Sequence, residues 1–340
     1  MSDEQSSSTA TLRSPDSVRL FDDADLARRR QGPTAGAVTA FGVDVRELRR
    51  FPGGAGFNWT DGRLVLKPVG CVPEHNWVCA VFAAWASADV RVPEPVAPRG
   101  MLDDWSVDGW GAHVFVPGRD LDLTSELDRV KEASDAFHEC LRDLPRPSFM
   151  DDRNDPWAYG DRFAWESADP PSDPETLELI EDLLAARRPV TAPEQPIHGD
   201  IRPNVLAAAD RPLAVIDWPP YFRPAGMANA IAVTDAVTFA GAPLSALDDW
   251  QTGDDWDQLL IRALLYRLGP TGLIASRNRL MGSLVTHVDR ARPVVHAVLS
   301  TRCSPGPEGA ASQRASARMN RTPRDTSLPE PERARRGRTT

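Results

Sequence analysis

Asp200, Asn204 and Asp217 place an acid, an amide and a second acid around one short apolar hairpin. These are oxygen donors that a hard divalent cation such as magnesium would share. The run is His198-Gly199-Asp200-Ile201-Arg202-Pro203-Asn204, and Val215-Ile216-Asp217-Trp218 follows it. The residues between read as two strands, 205–206 and 213–216, joined by the turn-prone Ala209-Asp210-Arg211-Pro212. An antiparallel hairpin returns the chain to its starting point. Asn204 at its entry and Asp217 at its exit should therefore lie side by side, with Asp200 on the loop before them. An isolated His-Gly-Asp reads as a solvated turn. What argues for chemistry is the second acid, placed after an apolar strand and directly before an aromatic residue. His198 reads as structural, bonding backbone to shape the loop.

A cation is supplied from the other end of the chain. Of the 39 basic residues only Lys67 and Lys131 are lysine, so the background replaces lysine wherever arginine serves, and a surviving lysine asks for a chemical reason. A compact ammonium acts as a point charge on phosphate where a planar guanidinium is too wide. Lys67 sits in the alternating Arg63-Leu64-Val65-Leu66-Lys67-Pro68, after an Asp61-Gly62 turn; an ordinary edge-strand lysine is the competing reading. Upstream, Gly53-Gly54-Ala55-Gly56 joins two strand-like stretches, 47–51 and 57–59. Glycines there let backbone amides approach a polyphosphate, although a plain tight turn has the same composition. No Gly-Lys-Ser/Thr follows, which excludes a P-loop. Residues 73–88 predict a helix with Trp77, Val78, Val81, Phe82 and Trp85 on one stripe. Glu74 lies on that stripe one turn ahead. A carboxylate facing a core needs a partner; the other reading is an acid favoured at a helix N-terminus.

The His-Gly-Asp loop, Asp217, and the ordered glycine run, lysine and glutamate resemble the catalytic centre of the protein-kinase-like superfamily. The resemblance is to its aminoglycoside phosphotransferase and choline kinase-like family and covers about residues 41–299. It implies an α+β, protein-kinase-like two-lobe fold, with an N-lobe of antiparallel sheet plus one helix and a mainly helical C-lobe. It further implies ATP or another nucleoside triphosphate as phosphate donor, magnesium, and a small-molecule substrate with an acceptor hydroxyl. Residue by residue, Asp200 would be catalytic, handling the acceptor hydroxyl proton, while Asn204 and Asp217 would hold the metal. Lys67 would bind the α- and β-phosphates with Glu74 orienting it, and Gly53, Gly54 and Gly56 would cover the triphosphate. The chain also departs from the pattern. The interval from Asp200 to Asn204 is four, where the general kinase signature has about five, and a third glycine of the Gly-x-Gly-x-x-Gly pattern is missing. Trp218-Pro219-Pro220 stands in place of Phe-Gly, so a locked, open segment is expected instead of a regulated hinge. No Ala-Pro-Glu follows Asp217, which disfavours a protein kinase. The alternative from another class is a catalytically weak, kinase-like regulatory protein that binds nucleotide without transferring phosphate; the shortened loop favours it. Arg153, Pro156, Trp157, Gly160, Asp161, Arg162 and Trp165 are similar to a signature of one subgroup of the family, which implies no substrate. The whole reading requires Lys67, Asp200 and Asp217 to converge on one cleft.

With 340 residues, 41% hydrophobic and 26% charged, the chain is ample for a two-lobed body. It has no transmembrane run and no signal peptide, so a cytoplasmic protein is expected. Cys71, Cys79, Cys140 and Cys303 form no CxxC pair and no metal spacing with the six histidines, which suits a reduced compartment and disfavours zinc. The net charge is −10, but residues 301–340 carry nine arginines against four acids, leaving −15 elsewhere. An acidic body argues against nucleic acid as a partner, and no membrane partner is expected. The organisation expected is a disordered extension over 1–36, a nucleotide-binding N-lobe over 37–118 that ends in an adenine-contacting hinge at 109–118, a helical C-lobe with the catalytic loop over 119–300, and a disordered basic tail over 301–340. Helices are expected from Thr124 onward and at 174–187, 227–240, 256–268 and 274–299, the last broken or kinked near Pro293. One further segment, 151–175, holds eight acids and two arginines interleaved with Trp157, Tyr159 and Trp165. Such a run suits a cationic substrate, held by carboxylates and aromatic faces; a polar loop pinned by tryptophans reads the same way.

Overall fold

Alternation along 64–67 sets up the first lobe. In the computed structural model, which describes residues 14–20, 23–51, 56–101, 104–277 and 286–302, strand β3 (Leu64–Pro68) lies inside a six-stranded sheet. Its neighbours are β2 (Trp59–Thr60), which pairs onward to β1 (Arg49–Arg50), and β7 (Trp110–Val114), which also carries β5 (Pro95–Val96) and β6 (Ser106–Val107). Every pairing in it is antiparallel. Leu64 and Leu66 join Trp110 and Ala112 in an apolar cluster completed by Ala37, Val38 and Phe41 of helix α2 (Ala35–Phe41). Because successive strand residues face opposite ways, Lys67 points away from that cluster.

Helix α3 (Val72–Ala83) follows β3. It stops five residues short of the expected end, and Trp85 beyond it is fixed instead by its indole N–H donating to Val90 O at 2.9 Å.

The expectation of no fold through residue 36, and of a single N-lobe helix, is corrected. Besides α2, a helix α1 (Asp23–Gln31) precedes the sheet. Its sequence is too charged to show an apolar stripe, and the segment is held by main-chain bonds that periodicity does not register. Arg19 N donates to Asn154 O at 2.9 Å, Asn154 Nδ2 to Ser17 O at 2.8 Å, and Arg277 Nη1 to Val18 O at 2.7 Å.

The hairpin that follows Asn204 forms as expected: β10 (Val205–Ala207) and β11 (Leu213–Val215) pair antiparallel, Val205 opposite Val215. They are flanked by β8 (Arg119–Asp120) and β4 (Val90–Arg91), while β9 (Glu194–His198) pairs with β12 (Pro220–Pro224). Around these strands lie α4 (Leu127–Leu141), α5 (Pro156–Ala164), α6 (Pro174–Ala186), α7 (Gly226–Phe239), α8 (Ala246–Asp249), α9 (Trp256–Ser276) and α10 (His287–Arg302).

Helix α9 runs eight residues beyond its expected end, through Gly269-Pro270. Nearly all of its residues are buried, so packing overrides the local breaker. Its closest crossing is at Gly160 of α5, where a Cβ would meet Tyr266 O and Pro270 Cγ at 2.6 Å. Helix α10 contains Pro293 without interruption. No helix among the described residues is long and apolar enough to cross a membrane.

Candidate active site

Two side chains 150 positions apart meet in the cleft: Lys67 Nζ donates to Asp217 Oδ1 at 2.8 Å. Lys67 stands opposite Gly111 in the β3–β7 register. Glycine is needed there, since a Cβ would lie 2.2 Å from the His75 ring. Asp217 occupies the left-handed region, φ 55°, a conformation that costs a non-glycine residue on the order of 1–3 kcal/mol and persists only where its surroundings hold it. The surroundings do so from both sides. Ile216 N donates to Asn204 O at 2.9 Å and His198 Nε2 to Ile216 O at 3.0 Å; beyond the corner, Gly199 N donates to Pro219 O at 3.1 Å and Trp218 Nε1 to Ile197 O at 2.9 Å. The Lys67 ammonium holds the Asp217 carboxyl below the usual carboxylate range. Trp218 is buried, stacked on Phe82 at 5.6 Å and packed against Trp77 and Phe137 at 5.1 and 5.3 Å.

The cleft measures about 950 Å³, and its walls include Lys67, Glu74, Ala112, His113, Asp217 and Trp218. Asp200 and Asn204 do not line it; the Asn204–Ile216 backbone bond ties their loop to the Asp217 corner. Asn204 Nδ2 donates to Asp200 O at 2.7 Å, so its Oδ1 is the amide atom that a cation would meet. A carboxylate and an amide oxygen fit magnesium, which is usually held by one or two carboxylates together with substrate phosphates. Among the described residues no group of three or more His, Cys, Asp or Glu could hold a metal.

His198 is fully buried and does the structural work expected of it. Its Nδ1 accepts from Asp200 N at 3.1 Å, and its backbone N–H donates to His138 Nε2 at 3.0 Å, while His138 Nδ1 donates to Ser134 O at 2.6 Å. These partners assign both rings as neutral, and burial pushes both down to about 4 from 6.5. A ring harder to protonate folded than unfolded contributes stability that is fully present above pH 6.5 and is lost as pH falls toward 4. We expect the unfolding free energy from urea titrations to drop across that interval, by on the order of 3 kcal/mol per ring at its lower end, with the midpoint falling alongside it, and His138→Gln to flatten the fall. A midpoint constant across the interval would refute the neutral assignment.

Gly199 is explained by its neighbour: a Cβ there would meet the Tyr221 ring at 2.2 and 2.4 Å. Gly199→Ala is expected to destabilise the fold by about 1–3 kcal/mol through overpacking, measured by chemical denaturation; a loss within error of zero would show that the ring moves aside freely.

The expected Lys67–Glu74 pair is not formed. Glu74 lies 3.2 Å from Arg153 Nε, which also reaches Asp155 at 3.1 Å. Arg153 further donates to Pro220 O and Tyr221 Oη at 3.0 and 3.2 Å. A guanidinium with a side chain only 8% exposed draws the nearest carboxylates, while Lys67 takes Asp217. Desolvation nevertheless raises Glu74 above its ordinary range. Gly53 and Gly54 lie outside the described residues; Gly56 has φ 74° with open space where a Cβ would stand.

Sequence reasoning passed over Asp235 and Arg267. Arg267 donates to Asp200 Oδ1 at 2.6 Å and to Asp235 Oδ1 at 3.0 Å. The signal was available: an acid inside α7 and a guanidinium inside α9, both otherwise apolar helices. Three residues of the subgroup signature make architectural contacts. Asp161 binds Arg223 at 2.7 Å, Trp165 lies 5.0 and 4.7 Å from the Arg223 and Arg262 guanidinium carbons, and Arg162 donates to Arg153 O at 2.8 Å.

No curated protein matches the sequence. Among solved structures, the chain resembles the aminoglycoside phosphotransferase APH(4)-Ia, seen in a thermostable mutant's ternary complex with AMP-PNP and hygromycin B, with TM-score 0.51, 16% identity, and coverage of 78% of this chain and 97% of that one. It resembles the AMP-bound spectinomycin phosphotransferase APH(9)-Ia with TM-score 0.51, 12% identity, and coverage of 78% and 96%. A choline/ethanolamine kinase family protein from Mesorhizobium loti aligns with TM-score 0.50, 17% identity, and coverage of 87% and 99%. These likenesses fix the fold as protein-kinase-like. Residues 58–231, just over half of the chain, match the phosphotransferase enzyme family, and the chain belongs to that family.

Proposed function

We propose that this phosphotransferase moves a phosphoryl group from a nucleoside triphosphate, with ATP the expected donor, to a hydroxyl of a small molecule. The observation that carries the reading is the 2.8 Å contact of Lys67 with Asp217 in the cleft, with the Asp200 loop laced to the same corner by backbone bonds. Lys67 would hold donor phosphates. Asn204 and Asp217 would hold magnesium, which when bound neutralises charge developing on the transferred group. Asp200 would accept the acceptor hydroxyl proton and aim its oxygen. Since Arg267 occupies one carboxylate oxygen, the hydroxyl would meet the other. Glu74 is assigned to Arg153 and not to Lys67.

For the acceptor, an amine is the chemistry favoured. Asp152 and Trp157 line the cleft, and the Trp157 ring, 41% exposed, lies 5.8 Å from the Arg267 guanidinium that holds Asp200. The neighbouring acids are engaged elsewhere. Asp151 pairs with Arg146 at 2.6 Å, and Asp155 caps α5 by accepting from Trp157 N and Ala158 N. The test is thermal shift with ATP and magnesium, followed by a phosphorylation screen of hydroxylated amines and other metabolites. Acceptor turnover supports the enzyme. ATP binding with no acceptor turned over would favour the nucleotide-binding regulator, and no nucleotide binding would overturn both.

A further inference from the structure

Helix α3 grips the segment that carries Asp217 at two points. Glu74 and Trp77 stand three residues apart and so share a face of the helix. Trp77 packs on Trp218, the residue after Asp217, with ring centroids 5.1 Å apart. Glu74 reaches the same segment through Arg153, whose Nη1 donates to Pro220 O at 3.0 Å. Each nitrogen of that guanidinium has a protein partner: Nε lies 3.2 Å from Glu74 and 3.1 Å from Asp155, and Nη2 donates to Tyr221 Oη at 3.2 Å. Its carbon lies 4.8 Å from the centre of the Tyr221 ring, the ring that presses on Gly199 next to Asp200. One buried cation thus joins α3, the strand after Asp217 and the ring beside the Asp200 loop.

We propose that Arg153 is a positioning residue for the metal corner, holding Asp217 in its cation-binding pose with Glu74 as its anchor on α3. This rests on the reading of the cleft as a site for a nucleoside triphosphate and magnesium. Asp217 adopts a left-handed backbone that its surroundings must hold, and Arg153 takes hold of the chain three residues on, at Pro220. A planar guanidinium can meet an acid, a carbonyl and a phenol in fixed directions at once, which a compact ammonium does less well. With a side chain 8% exposed and partners on every nitrogen, Arg153 acts through Pro220 and Tyr221 and not on the ligand itself. Groups that orient a metal ligand in this way govern how tightly the metal is held.

The discriminating experiment measures the affinity of the full chain for ATP by calorimetry, with and without magnesium, in wild type, Arg153→Met, Glu74→Gln and Arg223→Met. The readout is the factor by which magnesium tightens ATP binding. That factor is expected to fall about tenfold or more in Arg153→Met, and in the same direction by less in Glu74→Gln, while affinity without magnesium stays at the wild-type value. Arg223→Met, which breaks the Arg223–Asp161 pair further along the same strand, is expected to lose stability and keep the wild-type factor. Glu74→Gln, which preserves size and leaves Arg153 in place, decides the matter should Arg153→Met not fold. The proposal is overturned if either variant keeps the wild-type factor, if its metal-free affinity falls as far, or if Arg223→Met loses as much. A wild type whose ATP binding gains nothing from magnesium would instead overturn the metal reading, and this proposal with it.

Discussion

Asp200→Asn should lower turnover about 10²–10⁴-fold, the usual effect of losing a positioned proton acceptor, while ATP affinity stays near that of wild type. The two readouts separate because Asp200 sits outside the cleft that Lys67 and Asp217 line. Asparagine keeps the shape of the side chain and an oxygen for Arg267, so the loop should remain folded. Measuring kcat on an acceptor found by screening, beside ATP affinity by calorimetry, decides the matter. Turnover at the wild-type rate would remove Asp200 from the chemistry.

Arg267→Met is expected to cost about 3–5 kcal/mol of stability, the range seen when one partner of a buried ion pair is deleted. Arg267 is 13% exposed and Asp235 only 4%, so the variant strands a carboxylate in the core. Burial already raises Asp235 above its usual range with Arg267 in place. Without the guanidinium the acid must take up a proton or draw in water. The double variant Asp235→Leu with Arg267→Met should recover most of the loss, because an apolar pair of similar volume has no desolvation to offset. Chemical denaturation of the single and double variants measures both. A single-variant loss under about 1 kcal/mol would mean that the pair is far better hydrated than its burial indicates.

The hairpin between Asn204 and Asp217 was legible because its signals are local: two apolar strands, a turn between them, and acids at fixed offsets. Lys67 was legible through composition, as one of two lysines among 39 basic residues. What escaped depends on which side chains meet across the fold. Glu74 was assigned to Lys67 because a stripe places it on the right face, but a stripe says nothing of Arg153, 79 positions away, whose burial draws the carboxylate. Helix α1 escaped because its charged sequence shows no apolar stripe, and the segment before it is held through backbone atoms of residues 17–19, which carry no residue-type signal. The extension of α9 through Pro270 escaped because burial on all sides outweighs a local breaker, and burial of that kind is set by α5, α6 and α7 together.

Trp218 carries a consequence for control. In regulated kinases the aromatic residue after the metal-binding aspartate can repack, and its packing separates on from off. Here the indole is wedged among three aromatic rings and tied by its N–H to Ile197 O, so turning it out would expose a large buried surface and break a hydrogen bond together. A molecule designed to trap a flipped-out arrangement would find no vacated pocket to fill. Control by swinging this residue out would therefore have to offset the loss of both the stacked rings and the Ile197 hydrogen bond.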